Sequence, residues 1–411
     1  MSREDPTLNR RYFLKTAGAA GLGSVFASMN LRAEEEKAKV KEKKQVGFPQ
    51  VPKRKLGKTG VEVSSLGLGA NRLDSQIILR SCLKWGICFV DTSNSYMGGG
   101  SEKQIGEFIS RAPELRKKLF IVTKASRARS IEDVEARLKT SLQRLNTETI
   151  DLYYGVHGLD EPEQLSTELK EWAEDAKKRG AIRYFGFSTH ENMAENLMAA
   201  AKCGWVDALM TSYNFRLMQD EKMQQAVDAC HKAGVGLIAM KTLGIRTEQN
   251  IETEADKKIA GHFLEKGYTQ PQAAMKAVLA DERIAVACVG MRSVAEVTSG
   301  AAAVLDKTEL TAGDTAALEQ YARASCSGYC AGCTKLCNSA LPEMPYISKI
   351  MRYLMYYNGY GDTELARELY RQIPAGVRRR LPEIDYRAAE AVCPQKMPIG
   401  RYVAEAVIKL A

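Results

Sequence analysis

The chain has 411 residues, 45% of them hydrophobic and 27% charged, a globular balance that excludes a disordered or fibrous protein. At roughly 150 residues per domain it has room for two or three domains, or for one large barrel with an appendage. The formal charge of +9 is spread out; the densest basic runs are Arg378 to Arg380 and "KAKVKEKK", and the absence of a basic helix with interleaved aromatics argues against nucleic-acid binding.

Residues 1–33 carry Arg10 and Arg11, then Phe13, Leu14 and Lys15, then the mild apolar run "TAGAAGLGSVFASM". The order resembles a twin-arginine export signal, a disordered basic tail being the other reading, and the run is too short to stay as a stable membrane span. The resemblance implies cleavage after Ala27 or Ala33 and a periplasmic or other extracytoplasmic location. That route carries proteins already folded, often around a prosthetic group. Residues 34–51 mix charges without apolar periodicity and read as a solvated linker.

From 52 to 310 short β-rich runs alternate with amphipathic stretches. "VSSLGLGA", "GICFVDT", "KLFIVTKA", "TIDLYYGVHG", "IRYFGFST", "VDALMTSYN", "VGLIAMKT" and "IAVACVG" read as strands, with segments such as "SIEDVEARLKTSLQRL" as helices between them. This alternation predicts an α/β fold, an eight-stranded parallel β/α (TIM) barrel. A doubly wound sheet is the alternative, but no GxGxxG follows the first strand. Residues 311–411 read as a small, mostly helical, cysteine-rich domain, short enough that a metal site would help to hold it.

In such barrels chemistry sits at the C-terminal ends of the strands. "FVDTSNSY" places Asp91 and Tyr96 there, "VTK" places Lys124, and "YYGVH" places His157. A strand-end Asp can cap a helix, a Tyr can pack, a Lys can be a surface residue and a His can fill a core. Four ionisable types on three successive strand ends are a stronger pattern than any one of them.

These motifs, together with "RKLGKTGVEVSSLGLGANR" and "GAIRYFGFSTH", resemble the aldo/keto reductases over roughly 53–305. The resemblance implies an NAD(P)H-dependent oxidoreductase that reduces aldehydes or ketones, or oxidises the alcohol, with small carbonyl or alcohol substrates. Tyr96 would give a proton to the carbonyl oxygen, and Lys124 beside it would lower the phenol's pKa from its usual value near 10. Asp91 would hold Lys124 in place, and His157 would orient the carbonyl. By position, Ser188 and Thr189 correspond to nicotinamide contacts, Met240 to the residue against the ring, Lys241, Leu243 and Gly244 to the pyrophosphate loop, and Gly290 and Arg292 to the segment after the last strand. Met210 stands where many members carry a glutamine, Glu296 where an arginine often grips a 2'-phosphate, and Ser299 and Gly300 where a Glu-Asn pair is usual. The choice between NADP and NAD stays open.

The tail spaces its thiols as Cys326-x3-Cys330-x2-Cys333-x3-Cys337, with a remote Cys393 before Pro394. Such spacings bring thiolates to one centre, as iron-sulfur clusters and zinc both require, with disulfides a further reading. The remote Cys-Pro resembles a ferredoxin-type domain, which implies one [4Fe-4S] cluster. Its ligands would be Cys326, Cys330, Cys333 and Cys393, or a local set with Cys337 as the fourth. The cluster would relay electrons to a redox partner or fasten the tail. In a second reading the protein is a non-catalytic exported electron-transfer or binding module that keeps the barrel as a scaffold.

Overall fold

The structure is a computed structural model, and it describes residues 48–244, 254–324 and 329–411. The export signal, most of the charged linker and Cys326 lie outside the described residues.

Among the described residues ten strands form two sheets. Strands β1 (Lys53–Lys55) and β2 (Glu62–Ser64) make an antiparallel hairpin. The other eight close a parallel barrel: β3 (Leu66–Gly69), β4 (Phe89–Asp91), β5 (Phe120–Lys124), β6 (Ile150–His157), β7 (Ile182–Thr189), β8 (Ala208–Ser212), β9 (Gly236–Met240) and β10 (Ile284–Gly290), with β10 pairing back onto β3. All eight match the strands read from the sequence. Parallel strands covered on both faces need continuous apolar runs, and β5 is buried along its whole length.

The helices between strands are α1 (Gln76–Lys84), α2 (Gly100–Arg111), α3 (Ile131–Leu145), α4 (Thr167–Lys178), α5 (Met193–Cys203), α6 (Glu221–Lys232), α7 (Glu254–Leu264), α8 (Gln270–Ala280) and α9 (Val294–Leu305). Most start on a side chain that accepts a free backbone N–H of the first turn: Ser75, Ser130, Ser166, Asp220, Thr269 and Ser293. Helix α3 shows the packing rule, burying Val134, Leu138, Ser141 and Leu145 along one face.

The hairpin plugs the bottom of the barrel, where Leu56 and Val63 pack with Phe89, Phe120, Leu152 and Ile238 inside it. Gly57 permits this approach: its φ is +52°, a Cβ there would lie 2.3 Å from the Gly234 carbonyl oxygen, and Lys58 N donates to that oxygen at 2.5 Å.

Helix α10 (Ala312–Ala324) packs Leu318 and Tyr321 against Ile259 and Phe263 of α7, on the outside of the barrel. The tail beyond it comprises α11 (Thr334–Ala340), α12 (Ile347–Gly359), α13 (Thr363–Arg371), α14 (Ala375–Arg380), α15 (Arg387–Val392) and α16 (Ile399–Leu410). It has a core of its own, built from residues such as Ile350, Leu354, Tyr370, Val403 and Leu410. Among the described residues no helix is long and apolar enough to cross a membrane.

Candidate active site

The strand register brings the sequence-read residues together. Asp91 of β4 lies opposite Val122 of β5, Lys124 of β5 opposite Tyr154 of β6, and His157 of β6 opposite Ser188 of β7, so their side chains emerge at one end of the barrel. Lys124 Nζ donates to Asp91 Oδ1 at 2.6 Å and to the Thr92 carbonyl at 2.6 Å. It also lies 4.9 Å from the centre of the Tyr96 ring. Tyr96 opens a one-turn helix in which Met97 and Gly98 take left-handed conformations, φ 52° and 63°. The His157 ring stands edge-on to Tyr96, with centroids 6.3 Å apart, and its Nδ1 is 2.5 Å from Ser126 Oγ.

Burial governs the ionisation of these groups. It pushes the Tyr96 phenol up to about 12, against the opposing pull of the Lys124 ammonium. Lys124 lowers the phenol's pKa, as the sequence leads one to expect, but loss of water is the larger effect. Burial would discharge Lys124, yet the Asp91 carboxylate holds it protonated. Burial, reinforced by the charges of Lys124, Arg352 and Arg127, drives His157 down to about 3, so the imidazole is neutral at ordinary pH.

The cofactor-side residues divide. Ser188 is buried, and its Oγ accepts the Gly158 N–H at 3.2 Å. Thr189 uses its hydroxyl inside the protein, 2.8 Å from the Leu159 carbonyl and 2.9 Å from that of Glu191. Met240 and Met210 pack with the apolar cluster inside the barrel. Leu243 packs on the main core, and Gly244, φ 52°, accepts Arg216 Nε through its carbonyl at 2.5 Å. Gly290, the last residue of β10, and Arg292 just beyond it are exposed, and the Glu296 carboxylate accepts the Arg292 backbone N–H at 2.5 Å. Lys241, which also has a positive φ of 53°, lines a cavity between the barrel and the tail with His190, Ser212, Tyr329, Cys330 and Arg352.

The tail docks across the mouth of the barrel. Gly332, φ +76°, sits so close that a Cβ would lie 2.1 Å from the His190 carbonyl oxygen, while Asn192 N donates to the Gly332 carbonyl at 2.9 Å. Arg352 pairs with the buried Glu191 at 2.8 Å. Asn214 Nδ2 donates to Tyr329 Oη at 2.8 Å, and Arg72 pairs with Asp362. Arg127 meets Glu368 at 2.9 Å.

Cys330, Cys333, Cys337 and Cys393 line one cavity in the tail, walled by Ile347, Met351, Met397 and Ile399. Cys330 and Ser348 border both this cavity and the one beside Lys241. Each of the nine described cysteines is a free thiol. Among the described residues no group of three or more His, Cys, Asp or Glu side chains stands close enough to hold a metal ion.

Sequence reasoning passed over Ser126, although it follows Lys124 by two residues at the same strand end, the place that identified the others. It also passed over Arg352 and Glu191, whose pairing across the chain leaves no local pattern.

The sequence profile described as the Aldo/keto reductase family matches residues 64–322. Among curated proteins the chain is 27% identical over 286 residues to the L-galactose dehydrogenase of Arabidopsis thaliana, covering 62% of this chain and 89% of that one. It is 29% identical over 219 residues to a probable aldo-keto reductase 1 of Glycine max, of which it covers 60%, the match taking in 47% of this chain. In structure it resembles the holo form of an aldo-keto reductase from Bacillus halodurans, with a TM-score of 0.55 and 22% identity over 66% of this chain and 96% of the other. A thermostable aldo-keto reductase in complex with the inhibitor epalrestat gives a TM-score of 0.52 at 24% identity, covering 66% of this chain and all of that one. The two solved structures speak for the barrel, and the profile, matching well over half of the chain on the strands that carry Asp91, Lys124 and His157, speaks for descent: the chain belongs to the aldo/keto reductase family and is an NAD(P)-dependent oxidoreductase of that type.

Proposed function

We propose that the protein reduces small aldehydes or ketones with a nicotinamide cofactor, or oxidises the corresponding alcohols, and that Tyr96, Lys124, Asp91 and His157 carry the proton chemistry. The observation that supports this most is the convergence of Tyr96 on a buried Lys124–Asp91 pair beside a neutral His157.

Tyr96 keeps its proton until negative charge grows on the carbonyl oxygen, because an ionised phenol in this enclosure is costly. When the proton leaves, the Lys124 ammonium stabilises the phenolate left behind, and Asp91 keeps Lys124 charged and fixed. In the tautomer that accepts from Ser126 Oγ at Nδ1, His157 carries its proton on Nε2 and can donate it in a hydrogen bond to the same oxygen. When bound, a reduced nicotinamide supplies the hydride that reaches the carbonyl carbon. Ser188 suits its carboxamide, since an Oγ that accepts from Gly158 keeps its own proton to give. Met240 would lie toward the ring, and Gly290 and Arg292 form an exposed rim for the rest of the dinucleotide. The Glu296 carboxylate opposes a 2'-phosphate there.

The tail is read as the holder of one [4Fe-4S] cluster, with Cys326, Cys330 and Cys333 as ligands and Cys393 or Cys337 as the fourth. In support, the thiols of Cys330, Cys333, Cys337 and Cys393 line one cavity with apolar walls, donors suited to soft metals. A cluster passes single electrons whereas a hydride carries two, so these cysteines would chiefly fasten the tail to the barrel unless a redox partner splits the pair. Export by the twin-arginine route, from the pattern around Arg10 and Arg11, is the reading for location.

Anaerobic purification with iron and sulfide analysis, followed by a nicotinamide fluorescence titration and a carbonyl-reduction assay on the same sample, tests the proposal. Failure to bind any nicotinamide removes the catalytic reading, and iron-free protein without broad absorption near 400 nm removes the cluster.

A further inference from the structure

Three serines gather at Nδ1 of His157. Ser126 Oγ lies 2.5 Å from that nitrogen, Ser93 Oγ lies 2.5 Å from Ser126 Oγ, and Ser95 Oγ donates to Ser126 Oγ at 3.0 Å. Ser93 and Ser126 are buried, whereas Ser95 is exposed. Other bonds hold the cluster together. The Ser126 backbone N–H donates to Asn94 Oδ1 at 2.9 Å, and Arg144, paired with the fully buried Glu102 at 3.4 Å, donates to the Asn94 carbonyl at 2.8 Å. Glu102 in turn accepts the Thr123 hydroxyl at 2.7 Å, on the strand that carries Lys124. The segment 93–95 is therefore tied to the end of β5 independently of its hydroxyls. A hydroxyl has one proton and two lone pairs. Ser93 accepts the Ser95 backbone N–H at 3.4 Å, which leaves its own proton for Ser126. With Ser93 and Ser95 both donating, Ser126 Oγ has no lone pair left for an imidazole N–H, and its single proton points at Nδ1. The separation agrees: 2.5 Å falls within the range of O–H donors, about 2.5–3.0 Å, and below that of N–H donors, about 2.7–3.2 Å.

We propose that Ser93, Ser95 and Ser126 are positioning residues that lock His157 in the tautomer with its proton on Nε2, so that the ring meets the reacting oxygen as a hydrogen-bond donor in every turnover. The inference deepens the reductase reading and rests on it. A neutral imidazole free to choose would spend part of its time with Nε2 bare, turning a lone pair toward the carbonyl oxygen and repelling it. Burial and the neighbouring cations deny the ring a second proton, so the tautomer alone decides whether a donor is present there. The three hydroxyls come from two strand ends, β4 and β5, and act on a residue of a third, β6.

The test records the ring nitrogens of His157 by NMR of nitrogen-labelled full-length protein and measures butanal reduction with NADH or NADPH on the same samples. The chain has only four histidines, and His157→Gln assigns the signals. In wild type Nδ1 is expected to resonate as an unprotonated nitrogen and Nε2 as a protonated one. Ser126→Ala should show both tautomers and a kcat lower by about tenfold or more, with nicotinamide affinity unchanged. Ser126→Thr restores a hydroxyl and should return the spectrum and most of the activity. Ser93→Ala combined with Ser95→Ala keeps Ser126 but frees its lone pairs, so a protonated Nδ1 should appear there as well. A protonated Nδ1 in wild type overturns the proposal, and carbonyl reduction by that same sample leaves the reductase reading standing. A Ser126→Ala spectrum identical to that of wild type overturns it equally. A locked ring in a protein that binds no nicotinamide and reduces no carbonyl overturns instead the reading on which the proposal rests.

Discussion

Lys124 Nζ lies 2.6 Å from Asp91 Oδ1, with the two side chains only 1% and 5% exposed. Removing one member of so enclosed a pair leaves the other charged without compensation. Asp91→Asn is expected to lower stability by about 3–5 kcal/mol in urea unfolding. Adding Lys124→Met to it should recover part of the loss, because the second change removes the stranded charge. A single-variant loss below about 1 kcal/mol would show that the site is wetter than its geometry implies.

Tyr96→Phe removes the acid and keeps the ring. The expected outcome is a fall in kcat of about 10²–10⁴-fold for carbonyl reduction, with nucleotide affinity and melting temperature little changed. Because burial holds the phenol near 12, reduction by wild type should show no loss attributable to this group between pH 7 and pH 9. A basic limb below pH 9 that disappears in Tyr96→Phe would contradict the stated direction.

His157 gives a dependence on the acid side. Its folded-state pKa, about 3, lies below the ordinary 6.5, so the unfolded chain takes up a proton that the native imidazole refuses. The stability tied to this neutral ring is fully present above about pH 6.5, is lost as pH falls from there toward 3, and changes no further below. His157→Gln should flatten that part of a stability–pH curve measured by chemical unfolding; an unchanged curve would count against the shift.

Gly332→Ala should loosen the docked tail. A Cβ would have to share space with the His190 carbonyl, and the positive φ adds about 1–2 kcal/mol for any other L-residue. Hydrogen exchange is the measure: amides of α12 should exchange faster, while those of β4, β5 and β6 keep their protection. Uniform acceleration across the barrel would mean that tail and barrel open together.

The eight strands were readable because parallel barrel strands, buried on both faces, leave continuous apolar runs between polar caps, as in "FIVTK". The residues of the site were readable for a related reason, since a strand's last residue faces the mouth whatever the loop does next, and this held for Asp91, Lys124 and His157. Two things had no local trace. The sign of the Tyr96 shift depends on how completely the folded chain buries the phenol, a long-range property. The meetings of Arg352 with Glu191 and of Gly332 with His190 join segments far apart in the sequence, and a lone arginine or glycine carries no periodicity that announces its partner.

The contacts from Arg72–Asp362 to Glu191–Arg352 bear on the order of events during synthesis as well as on the finished molecule. Every strand of the barrel leaves the ribosome before α12 does, so a barrel that closes promptly spends an interval with its mouth open to small molecules. Anything meant to be enclosed beneath the tail can enter during that interval. A slow translation step after β10 would lengthen it without altering a single contact of the final structure.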